Sequence, residues 1–287
     1  MADLLHLLLK GLSLGCLYAL SSMGFVIVFK TSRVINLAHG QLMAMGAVIF
    51  ILLSSLPGLP ITAAFLLTVF ISIVLVFVIE RLFIRPLTEG DMTRVIFMTL
   101  GIIIILKGLI SYISLSPAEE MSKRLGALGI PSANLTILIL GITFILLLLL
   151  FLRCSSFGLY IRAVSDNRKA ALSLGIPIKR LFTISWAIAG ISASISGILM
   201  TVIYGLKTGN LDSMESIIFP TVILGGLGSM RGAILGGLLM GVLETFAGGH
   251  GSGSLRDILP YLILLFILVI RPYGLFSGKR DLTGIRQ

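Results

Sequence analysis

Long apolar runs alternate with short polar breaks along the chain. The runs occupy residues 4–29, 42–56, 61–80, 95–113, 135–152, 181–204 and 257–270, and a further run, 216–248, is interrupted by glycines. A hydrocarbon core is crossed by about 20 apolar residues in helical form, and helices satisfy their own backbone where no water is present. The pattern therefore predicts an all-α, polytopic integral membrane helical bundle with about 8–9 transmembrane segments. The segment 216–248 stands apart. Its two apolar halves, each of about 15 residues, are at the short end for spanning, and they flank Gly225-Gly226-Leu227-Gly228-Ser229-Met230-Arg231-Gly232. Such a break reads either as a discontinuous or re-entrant segment lining a substrate path or as a tight turn between two spans. Small residues recur every four positions at Gly11, Gly15 and Ala19, at Ala189, Ala193, Gly197 and Thr201, and at Gly237 and Gly241, which predicts close helix contacts.

Two polar breaks carry the most information. The largest, 153–180, holds Arg153, Arg162, Arg168, Lys169, Lys179 and Arg180 against one acid, Asp166. Asp166 or Asn167 is suited to cap a helix through a side-chain oxygen. The stretch Arg168-Lys169-Ala170-Ala171-Leu172-Ser173-Leu174 has no Gly or Pro and favours helix. Gly175 suits the left-handed position past a helix end, and Pro177 blocks continuation. A helix this short is marginal alone in water. Its small residues, Ala170 and Ala171, would fit a groove on another protein, and the alternative is a solvated helix lying on the membrane surface. The second break, VINLAHGQ at 34–41, places Asn36 and His39 ahead of an apolar run. Polar side chains at membrane depth commonly face a bundle interior or a water-filled path. The alternative is that Asn36 caps the next helix and His39 sits in the interface.

Composition narrows the class. The chain is 57% hydrophobic and 12% charged, with a mean hydropathy of +1.10, so one integral membrane domain is expected over 1–287, with no separate soluble domain. No A-x-A site follows the first run, which reads as a retained span and not a signal peptide. The span 135–152 is almost uniformly apolar and is expected to touch lipid. Cys16 and Cys154 give neither a disulfide framework nor metal spacing. The net charge of +10 belongs to membrane topology and not to nucleic-acid binding. With the amino terminus outside, the breaks at 30–33, 81–94 and 153–180, Arg231 and the tail 271–287 share one side and hold 16 of the 22 Lys and Arg residues. The positive-inside rule makes that side, with loop 153–180, cytoplasmic.

The chemistry is sparse. The chain has no HExxH, no GxxxxGK[ST] phosphate loop and no Cys/His metal cluster. No ATP-hydrolysing engine and no cofactor are therefore expected on this chain; if transport is driven by ATP, a separate subunit must supply it. Glu244, Lys107 and His39 are the charges available to an ion-coupled secondary transporter; Lys107 is read as snorkelling.

Several segments together resemble an inner-membrane permease of the branched-chain amino acid ABC transporter family, the LivH type. They are GLSLGCLYALSSMGFVIVFKTSRVINLAHGQLMAMGA at 11–47, ERLFIRPL at 80–87 and GLYIRAVSDNRKAALSLGI at 158–176. LGGLGSMRGAILGGLLMGVLE at 224–244 and RPYGLF at 271–276 also match. The loop departs from the family at Lys169, where an acidic residue often stands. The resemblance implies a multi-pass protein of a bacterial or archaeal cytoplasmic membrane, surrounded by lipid and paired with a second, similar permease. It implies two cytoplasmic ATPases that hydrolyse the ATP, and an extracytoplasmic binding protein that delivers the substrate. Asp166, Asn167, Arg168, Lys169, Ala170, Ala171, Leu172, Leu174 and Gly175 would form the coupling helix for the ATPases. Asn36, His39 and Gly40, with Gly225, Gly226 and Gly228, would lie near the translocation path. Branched-chain or other hydrophobic amino acids are the implied cargo, with urea or short amides as the alternative within the family.

Overall fold

The computed structural model describes residues 2–87, 92–113, 133–204, 208–250 and 253–276, and these are almost entirely helical. In chain order the helices are α1 (Ala2–Ser32), α2 (His39–Ser55), α3 (Ile61–Ile79), α4 (Met92–Ile113) and α5 (Ala133–Cys154). They continue with α6 (Ser156–Asp166), α7 (Arg168–Ser173), α8 (Ile178–Tyr204), α9 (Thr208–Gly225), α10 (Met230–His250) and α11 (Gly253–Ile270). Six of the described helices are long and apolar enough to cross a membrane, and His39–Ser55 and Ile258–Ile270 are shorter apolar helices.

The bundle is organised around α1. Its apolar window is 94% buried, against 22% for the windows of α3, α4 and α5. α1 touches α10, α8 and α5 along its length, and small residues set how closely. A Cβ on Gly11 would lie 3.0 Å from Val242 Cα, and one on Gly15 would lie 2.8 Å from Leu238 Cα. Gly237 meets Ala19 backbone, and a Cβ on Gly24 would strike the Ser192 side chain. The stripes at Gly11, Gly15 and Ala19 and at Gly237 and Gly241 thus meet one another, which in lipid is where packing is gained. The peripheral helices leave Leu66, Phe70, Ile104, Ile105, Leu146 and Leu147 exposed. For 135–152 this is the exposure expected of a span that touches lipid. Lys107 is on the exposed side of α4.

Two elements go beyond the sequence reading: of the two alternatives for 216–248 the turn between helices is the one found, and residues 33–38 add a break. The glycine-interrupted segment is a pair of continuous helices joined by a turn. Gly226 sits at φ +101°, its N–H donates to Val222 O at 2.8 Å, and the Ser229 N–H donates to Gly226 O at 3.0 Å. The halves looked short because α9 starts at Thr208, in polar sequence, and α10 continues to His250. The deeper interruption lies at 33–38. Arg33 is left-handed (φ +59°) and reverses the chain after α1, so that α2 begins beside Ser21. Ser21 lies about 16 Å back along α1 from its end at Ser32, at 1.5 Å per residue. Six residues in extended form span about 20 Å, enough to carry the chain to that depth.

The polar breaks gather at one end. Lys30 Nζ donates to Gly228 O at 2.7 Å, an Arg33 guanidinium N–H to Ser165 O at 2.9 Å, and one from Arg85 to Lys179 O at 3.0 Å. The Leu275 N–H closes on Leu224 O at 2.9 Å. The end of α1, the turn after α3, the α5–α8 connection, the α9–α10 turn and the chain after α11 therefore form one basic face, as the charge count requires.

Candidate translocation seam and docking helix

The basic face presents a small, well-defined helical unit. Ser155 caps α6 by accepting the Gly158 N–H at 3.3 Å. α6 is amphipathic: Gly158, Ile161 and Val164 are buried, while Leu159, Tyr160 and Arg162 are exposed. Asn167 then caps α7, accepting the Ala170 N–H at 3.0 Å. Asp166 ends α6 and does not take that role. At the far end the Ile176 N–H donates to Ala171 O at 3.1 Å and the Gly175 N–H to Leu172 O at 2.9 Å, with Gly175 at φ +76°. This is the double closure of a helix end around a left-handed glycine. Ala171 is buried against Ile161, Val164 and Leu181 of the same chain, so the paired alanines do not form one outward face. The helix turns Arg168, Lys169, Ala170, Leu172 and Leu174 outward, and Leu174 is 79% exposed. Alanine spacing alone does not tell which side of two turns the protein keeps for itself.

Beside α7, a π-helical turn (Glu80–Ile84) continues α3 and buries Glu80 completely. Its carboxylate accepts from Arg85 Nε at 2.9 Å, and Arg85 also donates to the Thr183 hydroxyl at 2.6 Å. One buried acid thereby ties the end of α3 to α8. Removing one partner of such a pair leaves a buried group uncompensated, which is costly. A cavity of about 500 Å³ opens here, bordered by Arg81, Arg85, Arg168, Leu172 and Lys179.

The bundle interior holds a polar seam. His39, at the buried start of α2, donates through Nε2 to Ser21 O at 2.9 Å and stands edge-on to Phe25, with ring centroids 5.9 Å apart. The carbonyl can only accept, so the proton is assigned to Nε2 and Nδ1 keeps a lone pair. Asn36 accepts the Ala38 N–H at 3.2 Å, which forms the turn into α2. Four buried polar atoms of this region have no hydrogen-bond partner among the described residues: Ser21 Oγ, Ser22 Oγ, Asn36 Nδ2 and His39 Nδ1. Other buried serines, such as Ser13 and Ser185, bond to carbonyls one turn back. Each unmet group costs about 1–3 kcal/mol, and such groups are ordinarily met by water or a polar solute. Nearby along α1, the Tyr18 hydroxyl donates to Glu244 Oε2 of α10 at 2.6 Å, and both residues are buried.

A family model described as branched-chain amino acid transport system / permease component matches residues 7–268. The chain belongs to this permease family. The permease is 28% identical over 293 residues to the high-affinity branched-chain amino acid transport system permease protein BraD of Pseudomonas aeruginosa, covering 95% of each chain. It is 28% identical to LivH of Salmonella typhimurium, a permease protein of the same named system, again with 95% of each covered. A probable branched-chain amino acid transport permease protein LivH of Methanocaldococcus jannaschii is 28% identical, with 90% of this chain and 88% of that one covered. These relatives are named as transport permeases and not as enzymes.

The predicted path residues of the permease divide into two groups. Asn36, His39 and Gly40 are buried at the start of α2, within the seam. Gly225, Gly226 and Gly228 are at the basic end and serve close backbone contacts. A Cβ on Gly225 would strike Gly232 O, one on Gly274 would lie 2.5 Å from Gly226 Cα, and Gly228 O accepts from Lys30. Sequence reasoning did not single out Ser21, Ser22 or Tyr18. The adjacent serines in the middle of the first run were a visible signal, since a run of that length has no need of hydroxyls.

Proposed function

We propose that the permease is the membrane subunit of an ATP-driven importer in a cytoplasmic membrane. It would pass branched-chain or other small hydrophobic amino acids handed over by an extracytoplasmic binding protein. Two ATPases would dock on the basic, cytoplasmic face and supply the ATP hydrolysis, and a second, similar permease would complete the path. The observation that carries this reading is α7. It is capped at both ends, anchored through Ala171, and turns Leu172 and Leu174 to solvent. An apolar pair held out from a basic face is suited to a hydrophobic groove on a soluble partner. The branched-chain relatives support the cargo.

The seam supports the path. Its hydroxyls, imidazole and carboxamide are neutral hydrogen-bonding groups, which serve a solute in transit without holding it by charge. That same neutrality suits urea or a short amide, which is the second reading. The test is uptake into proteoliposomes holding the permease with the proposed partners: two ATPases, a second permease and a binding protein. ATP-dependent leucine uptake that unlabelled valine suppresses, and urea does not, supports the first reading. Suppression by urea or acetamide alone moves the cargo to amides. Uptake driven by an ion gradient without ATP contradicts the importer reading.

A further inference from the structure

A second groove, of about 490 Å³, lies on the basic face between the ends of α5 and α10. We propose that it binds the headgroup of an anionic phospholipid from the cytoplasmic leaflet. Four cationic side chains border it, Lys30, Arg153, Arg162 and Arg231, and no carboxylate does. Lys30 Nζ and Arg162 Nη1 contact the carbonyls of Gly228 and Leu152, at 2.7 and 3.4 Å. Arg153, Arg162 and Arg231 are exposed. Ser229, at the head of α10, accepts the Gly232 N–H at 3.0 Å and orders the turn that forms one lip.

The rest of the wall is apolar: Leu149, Leu152, Ile161 and Met230. A site for a free anion does not need such a wall, whereas a site at the bilayer edge does. Exposed apolar rows lie farther along both helices, Leu146 and Leu150 on α5 and Leu235, Leu239 and Leu243 on α10. Acyl chains would lie against these rows while the phosphate sits among the guanidinium groups. Basic pockets between helices on the cytoplasmic side suit anionic headgroups. Planar guanidinium groups bind phosphate oxygens in pairs. A docked ATPase is a less suitable occupant, because no α7 residue borders this groove. Arg168 and Leu172 border the other cavity, beside Arg81 and Arg85.

The test uses the full-length permease in neutral detergent. It is titrated with phosphatidylglycerol or phosphatidylcholine, and both retained lipid (by native mass spectrometry) and thermal midpoint are read. Each basic residue near a lipid surface contributes about a fivefold factor in affinity. The triple variant R153Q/R162Q/R231Q should therefore lose roughly 100-fold in apparent phosphatidylglycerol affinity, with phosphatidylcholine unchanged. R81Q/R168Q, at the other cavity, is the control and should keep wild-type retention. Equal retention of the two lipids by the wild type, or unchanged phosphatidylglycerol retention in the triple variant, overturns the proposal. So does an equal loss in the control, which would show a bulk-charge effect. Should the triple variant not fold, competition on the wild type decides. Stabilisation by inorganic phosphate alone at the same concentration, or displacement of the lipid by bound ATPase subunits, would assign the groove to a soluble ion or a protein and refute a lipid site.

Discussion

Gly15→Ala tests the contact on which the bundle is built. A Cβ at this position would lie 2.8 Å from Leu238 Cα, 3.0 Å from Leu238 O and 3.2 Å from Gly237 O, all backbone atoms of α10. No rotamer change relieves such a contact, so α1 and α10 must move apart by about 0.6–1 Å to restore ordinary spacing. A gap of that size forfeits about a quarter to a half of each van der Waals well of roughly 0.15 kcal/mol. Over some 40 atom pairs between the two helices the loss is about 2 kcal/mol, within the roughly 1–3 kcal/mol typical of overpacking. For a chain of this size that corresponds to a fall of about 4 °C in thermal midpoint. The assay is intrinsic fluorescence of purified protein during heating. The single tryptophan, Trp186, is buried in α8 and reports without interference from another indole. Gly101→Ala is the control, since a Cβ there meets nothing within 4 Å, and it should keep the midpoint at or slightly above that of wild type. Because Gly237 opposes Ala19 in the same interface, Gly15→Ala and Gly237→Ala should be less than additive: once the helices have separated, the second methyl finds room. A Gly15→Ala midpoint equal to that of Gly101→Ala would refute the close packing.

Three further outcomes are expected. Gly175→Val forces a β-branched residue into a left-handed position at a cost of about 1–2 kcal/mol; ATPase recovery in co-purification should fall while membrane insertion persists, and Gly175→Asn should recover most of it. Glu244→Gln keeps an acceptor for the Tyr18 hydroxyl and should leave ATP-driven uptake near wild type, whereas Glu244→Leu, which removes that buried acceptor, should lower the thermal midpoint by about 2–4 °C for a loss of roughly 1–2 kcal/mol. Complete loss of uptake in a well-assembled Glu244→Gln protein would argue for a coupled ion. Arg85→Ala leaves the fully buried Glu80 carboxylate without its guanidinium partner and should destabilise by about 3 kcal/mol or more, read as loss of monodisperse protein on size exclusion; a protein as stable as wild type would show the pair to be dispensable.

The apolar runs made most of the fold legible, because in lipid a run of that length has one stable backbone form. The basic residues likewise identified the face on which the breaks gather, since charge placement follows membrane topology and not tertiary detail. The short helix at 168–173 was readable from Asn167 and Gly175, whose local chemistry determines where it starts and stops. Its orientation was not, because burial of Ala171 depends on Ile161 and Val164 of α6. That helix was itself masked by Arg162, Ser165 and Asp166, which made its stretch resemble loop. The depth of α2 depends on a left-handed Arg33, which no residue preference announces. The Tyr18–Glu244 bond joins residues 226 positions apart, beyond the reach of any local pattern. The glycines at 225–232 were read for pathway as well as for turn, since the same residues serve discontinuous helices and tight reversals.

One experiment decides whether α7 docks the ATPases of an importer. The permease is purified in mild detergent from its native host, as wild type and as Leu172→Asp/Leu174→Asp. Both leucines point away from the chain, so the variant should fold normally; Ala171→Asp would not serve, because Ala171 is buried against α6. The wild type should bring down two ATPases and a second permease, and the variant should keep the second permease while ATPase recovery falls about tenfold or more. Undiminished ATPase recovery with the variant, or a wild type that purifies without any ATPase, would contradict docking through α7.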